Sequence, residues 1–173
     1  MKNKEQWDLY DKNRCKLNKI VNRGDKLNDN EYHLVVQVWI KNSDNKYLIS
    51  RRSKNKTYPL MWETTGGSAL VNEDSLKAAL RETKEELGID LISEKGKVIG
   101  STLRYFKNCP DILDVWLFNQ NINPKDIVLQ KEEVCDYMFA TKEEIEKLIK
   151  EDKFIKSYLT DTILEDTYED RNV

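Results

Sequence analysis

The sequence is poor in residues that build covalent scaffolds or soft metal sites. Its 173 residues include three cysteines, Cys15, Cys109 and Cys135, far apart and without a Cys-x-x-Cys pair. That spacing excludes a zinc ribbon or thioredoxin-like site, and the odd count points to reduced thiols in a cytosol. A single histidine, His33, excludes a His-rich metal cage and weakens any Ser-His or Cys-His triad. The prolines, Pro59, Pro110 and Pro124, lie between candidate elements. No apolar run approaches the ~20 residues a membrane helix needs. The start, Met-Lys-Asn-Lys-Glu-Gln-Trp, has no apolar signal core. A cytoplasmic protein without a membrane partner is the expectation. Charge of one sign is also lacking: 29 Lys and Arg stand against 31 Asp and Glu, a formal net charge of −2. Such a balance gives no general attraction to nucleic acid.

Charge itself is abundant, at 35% of residues beside 39% hydrophobic residues, where about 25% charged is usual. The length suits one domain with terminal additions, and it is enough for a real core. With histidine and paired cysteine scarce, metal chemistry falls to carboxylates, which suit Mg²⁺ and Mn²⁺.

Patterning predicts a mixed α/β chain. Trp7 to Tyr10 and Lys16 to Val21 read as short strands around an Asp-Lys-Asn-Arg turn, and Asn22 to Asn30 as loop. His33 to Ile40, rich in β-branched and apolar residues, reads as a central strand. Ser43 to Asn45 is a turn, with Tyr47 to Arg51 as the return strand. Trp62 to Thr65 is a short strand before Gly66-Gly67. Asp74 to Leu87 is a strong helix, with Asn72 as its N-cap and Gly88 as its stop. Val98 to Phe106, Ile112 to Asn119 and Val134 to Phe139 read as strands. Thr141 to Glu144 is a capping box that opens a helix to about Lys150. Asp152 to Glu165 reads as a last helix, with Ile155, Tyr158, Leu159 and Ile163 roughly on one face.

The chemistry concentrates between Gly67 and Ile89. On the Asp74 to Leu87 helix, Leu76, Leu80, Thr83 and Leu87 share an arc that faces the core. Glu82, Glu85 and Glu86 share another, with Lys77 and Lys84 pointing elsewhere. Like charges at those spacings repel on an isolated helix, and a cation relieves the repulsion. Arg81 is placed to pair with a glutamate and fix its rotamer. A solvated acidic face also satisfies this spacing.

The fuller pattern is Gly67, five residues, Glu73, seven residues, Arg81-Glu82, two residues, Glu85-Glu86, one residue, Gly88-Ile89. It resembles the Nudix box in full, with Thr83 a mild departure where the family often has an aliphatic residue. The resemblance implies a Nudix fold, a mixed β-sheet between helices (α/β/α), over a single domain. Residues 1–30 would form an N-terminal extension, residues 67–89 the box, and residues 141–166 the C-terminal helices. It implies hydrolysis of a diphosphate bond in a nucleoside diphosphate linked to some group X. By the same resemblance Glu82, Glu85 and Glu86 bind divalent metal (Mg²⁺ or Mn²⁺), and the Gly67 carbonyl is a further ligand. Arg81 orients the glutamates, Glu73 supports it, and Glu85 is a candidate base.

Outside the box, Tyr32-His33-Leu34, Leu48 to Arg52, Lys56, Pro59, Trp62 and Gly66-Gly67-Ser68 resemble the branch that contains isopentenyl-diphosphate isomerase. Glu132 to Tyr137 resembles that branch's late acidic loop. The isomerase has a catalytic cysteine immediately before the box glycine, where this chain has Gly66. It has a histidine immediately after that glycine, where this chain has Ser68. Several histidines hold its metal, and here only His33 exists. A hydrolase is the reading; an isomerase and a non-catalytic nucleotide-binding module are the alternatives.

Glu133 is a candidate base or further metal ligand, or else part of an ordinary charged turn. Arg51 and Lys56 are candidates to grip substrate phosphate, although strand alternation sends Arg51 and Arg52 to opposite faces. His33 reads as a satisfied structural histidine, Trp39, Trp62 and Trp116 as core, and Cys135 as a small core hydrophobe. The expected partner is a small-molecule diphosphate, and residues 1–30 are a candidate arm for a homodimer.

Overall fold

The computed structural model describes residues 4–165. An N-terminal hairpin pairs β1 (Gln6–Tyr10) with β2 (Lys16–Asn22). Its turn places Arg14 at φ 67°, where the guanidinium grips buried Asp114 with two hydrogen bonds of 2.6 and 2.7 Å. Trp7 and Leu9 of β1 are buried, and Trp7 stacks on the His33 ring at 4.3 Å. The hairpin is therefore packed on its own domain.

The main sheet has seven strands. Its long members are β3 (His33–Lys41), β4 (Tyr47–Arg52), β7 (Gly96–Arg104), β8 (Asp111–Asn119) and β9 (Val134–Ala140), with the short β5 (Trp62–Glu63) and β6 (Gly66–Ser68). β3 and β8 run parallel at the centre, in register from His33↔Asp111 to Lys41↔Asn119. Strands covered on both faces read as continuous apolar runs, and β8 is buried from Asp111 to Phe118. β3 and β4 meet only at Lys41↔Tyr47 and then diverge. Into the gap beside β3 comes β6, with Val36 opposite Gly67 and Gln37 opposite Gly66. The split in the sheet thus seats the start of the glutamate-bearing segment.

Period-2 alternation divides β3 between two cores. Leu34, Val36, Val38 and Ile40 face α1 (Ser75–Leu87), packing with Ala78, Ala79 and Leu87. Trp39 joins Leu113, Val115 and Leu117 of β8 on the other face. There they meet Ile145 of α2 (Lys142–Lys150) and Ile163 of α3 (Thr160–Leu164). The sheet lies between helices, as the resemblance implied. No helix among the described residues is long and apolar enough to cross a membrane.

Four local readings change. The N-cap of α1 is Asp74, whose carboxylate accepts from the Lys77 N–H at 2.8 Å. Asn72 instead sits at φ 66° and donates its N–H to Asp8. Leu76 and Leu80 are only half-buried, and Ala78 and Ala79 sit deepest on the core face. The expected helix from Asp152 shrinks to Thr160–Leu164, because its first residues pair with β5: Lys153 O accepts from Trp62 N–H, and Ile155 N–H donates to Trp62 O, both at 2.8 Å. Cys135 is exposed, on the outer side of β9, with its thiol against the Arg52 carbonyl. The capping box of α2 is present in both directions, Thr141 to Glu144 and back.

Candidate active site

α1 begins immediately after β6 and a short turn, so the helix and Gly66–Ser68 form two walls of one pocket. Its volume is about 160 Å³, and Gly67, Glu82, Glu85 and Glu86 line it together with Lys56 and Glu133 from two other loops. The fit between the walls depends on glycine. A Cβ on Gly67 would collide with the Glu82 carboxylate, and a Cβ on Gly66 would collide with the Val36 carbonyl. The second collision leaves no room for the isomerase's cysteine at position 66.

Arg81 organises the helix face. It makes hydrogen bonds of 2.7 and 3.0 Å to Glu73, 2.9 Å to Glu82, 3.0 Å to Glu85 and 2.9 Å to the Ser68 carbonyl. Burial opposes its charge, but Glu73 and Glu82 hold the guanidinium above its ordinary pKa. Glu73 also accepts from the Leu70 N–H at 2.8 Å, so it ties the turn to Arg81. One planar, five-donor side chain thereby fixes β6, the turn and the helix together.

The three box glutamates differ in environment. Glu85 is half exposed, with its side chain at 52%. Burial pushes Glu82 above the ordinary carboxyl pKa, against the opposing pull of Arg81. Glu86 is buried; desolvation foremost, with Glu82 and Glu63 adding, pushes it up to about 7. Glu86 accepts a hydrogen bond from the Thr65 hydroxyl, and no lysine or arginine among the described residues forms an ion pair with it. Glu133 pairs with Lys56.

Some candidates lie elsewhere. Arg51 donates to the Leu60 carbonyl at 2.9 Å and lies over the Trp62 ring, away from the glutamate pocket. Arg52 points the other way and holds Glu63 with bonds of 2.7 and 2.8 Å. His33 is buried, with Nδ1 3.3 Å from the Pro110 carbonyl, and burial lowers its pKa. Trp39 and Trp116 are buried and Trp62 is half-buried. Two charged pocket residues escaped the sequence reading, Glu5 and Arg23. No local signal marks them, because they are brought to the helix by long-range packing of the hairpin.

No group of three or more His, Cys, Asp or Glu side chains is preassembled as a metal cage among the described residues. The donor set nonetheless fits a hard cation. Five carboxylates, from Glu5, Glu82, Glu85, Glu86 and Glu133, line the pocket with two cations, Arg23 and Lys56, for a formal charge of −3. An excess of carboxylate charge in a small polar cavity is what Mg²⁺ and Mn²⁺ accept.

The sequence matches the NUDIX domain over residues 31–162. The chain belongs to the Nudix family. It is 41% identical over 155 residues to the uncharacterized Nudix hydrolase lmo0368 of Listeria monocytogenes, covering 87% of this chain and 88% of that one. It is 30% identical over 162 residues to Nudix hydrolase 3 of Arabidopsis thaliana, covering 86% of this chain and 21% of that one. Its fold is similar to that of DR0079 from Deinococcus radiodurans, at TM-score 0.70 and 19% identity, covering 92% of this chain and 97% of that chain. The mixed sheet between helices is thus the Nudix fold.

Proposed function

We propose that this Nudix protein is a divalent-metal-dependent hydrolase of a diphosphate bond, in a nucleoside diphosphate linked to X or a related diphosphate. The observation that carries the reading is the pocket where Glu82, Glu85 and Glu86 meet Gly67, with an excess of acidic groups. Glu82 and Glu86 would hold Mg²⁺ or Mn²⁺, with the Gly67 carbonyl and Glu85 as further ligands at the same site. When bound, the metal supplies Lewis acidity and a water of lowered pKa.

The chain's own groups divide the remaining work. Arg81 holds Glu82 and Glu85 in fixed rotamers, which preorganises the acidic face. Glu85 takes the proton from the attacking water, and Glu133 is the alternative base, placed in the same pocket by its loop. Lys56 balances phosphate charge when it exchanges Glu133 for substrate. Arg51, turned toward Trp62 and Leu60, would need to change rotamer to reach the diphosphate.

The part of the substrate beyond the diphosphate has a cavity of its own. A space of about 280 Å³ borders the same Gly66–Gly67 strand and is lined by Gln37, Thr64, Arg52 and Lys156. Gln37 Oε1 and Thr64 Oγ1 are buried there without a hydrogen-bond partner. Buried polar groups cost stability unless paired, so a ligand with matching polar edges would satisfy both.

A screen of nucleoside diphosphate derivatives, dinucleotides, sugar nucleotides and prenyl diphosphates with Mg²⁺ or Mn²⁺ tests the proposal. Metal-dependent hydrolysis of at least one class, lost in Glu86→Gln, is the expected outcome. Isomerisation of isopentenyl diphosphate, or metal-dependent binding with no cleavage across the panel, would contradict it.

A further inference from the structure

The N-terminal hairpin lies before the matched Nudix region, which begins at residue 31, yet it reaches the box. The Gln6 carbonyl accepts from the Val71 N–H at 2.9 Å, and Asp8 accepts from the Asn72 N–H at 2.7 Å. Both contacts are to the turn that joins β6 to α1. The hairpin's open end is closed by the Arg23 N–H donating to the Glu5 carbonyl at 2.8 Å. With Trp7 and Leu9 of β1 buried in the fold, the hairpin backbone brings Glu5 and Arg23 to the pocket.

The two side chains form an ion pair through one guanidinium nitrogen at 2.9 Å, with Arg23 62% and Glu5 45% exposed. An exposed, single-contact pair contributes little, because solvent screens it and two mobile side chains must be held. A phosphate with two free oxygens offers the same guanidinium a bidentate contact and more charge. The pocket also needs the cation. Lys56 is its other basic residue and is paired with Glu133.

We infer that Arg23 is a phosphate-binding residue of this site, kept in place by Glu5 and released to the substrate's diphosphate when it enters. The inference rests on the diphosphate reading above. It makes the hairpin part of the active site, with Glu5 a competitor for Arg23.

Calorimetric binding of methylenediphosphonate, a diphosphate mimic that cannot be hydrolysed, tests this in the full-length protein with saturating Mg²⁺. Arg23→Ala should weaken binding about tenfold with an unchanged melting temperature. Arg23→Lys should recover part of the loss, and Glu5→Gln should tighten binding. With any substrate the screen identifies, Arg23→Ala should raise KM by a similar factor and leave kcat nearly unchanged. Equal binding by Arg23→Ala and wild type, or weaker binding by Glu5→Gln, overturns the inference. If the wild type cleaves nothing, the hydrolase reading fails, while the binding series still judges Arg23.

Discussion

Replacing Glu86 by glutamine should make the metal-free protein more stable while abolishing its activity. The Glu86 carboxyl is buried against Thr65, and burial raises its pKa from 4.5 to about 7. A raised folded-state pKa means that the protonated form favours folding. Its stabilisation is full below about pH 4.5 and is lost as pH rises through about 7. At about 1.4 kcal/mol per tenfold change in proton affinity, the loss amounts to about 3 kcal/mol by pH 8. Glutamine keeps the shape and is neutral at every pH, so it avoids that loss. For a chain of this size, about 3 kcal/mol corresponds to a melting-temperature difference of about 6–12 °C. Thermal unfolding in EDTA at pH 5 and pH 8 checks it. Wild type should weaken between the two, the variant should not, and Mg²⁺ should restore only wild type. A variant less stable than wild type at pH 8, or a flat wild-type profile, would refute the reasoning.

Arg81→Lys should lower activity by about 10–100-fold, because a point charge cannot hold Glu73, Glu82, Glu85 and the Ser68 carbonyl at once; steady-state kinetics at saturating Mg²⁺ measure it. Gly67→Ala should displace the Glu82 carboxylate and cut activity at least about tenfold with an unaltered circular dichroism spectrum. Gln37→Ala should change the ranking of substrates in the screen more than the rate on a bare diphosphate. Ile163→Ala, at a fully buried position under the second core, should cost about 2–4 kcal/mol in urea unfolding.

What the sequence revealed was local. Glu82, Glu85 and Glu86 are three and four residues apart, so helix geometry alone brings them together, and Thr141 to Glu144 announces its own helix start. The parallel pairing of β3 with β8 joins residues nearly eighty positions apart, which no local pattern encodes. The segment from Asp152 misled for the same reason: its apolar residues have helical spacing, but Trp62 claims the backbone of Lys153 and Ile155. Asn72 looked like a cap, but Asp8, from the hairpin, holds it in a turn instead. Cys135 looked like core because its strand is apolar on average, although its own position faces outward. Glu5 and Arg23 stayed invisible because the hairpin's packing on the box decides their location.

Cleavage followed by ³¹P NMR in ¹⁸O-labelled water, with wild type and Glu82→Gln side by side, tests the central claim most directly. The account predicts that Mg²⁺ or Mn²⁺ lets wild type split a diphosphate with one ¹⁸O in the product, and that EDTA or the substitution stops it. Cleavage that survives both would contradict the account.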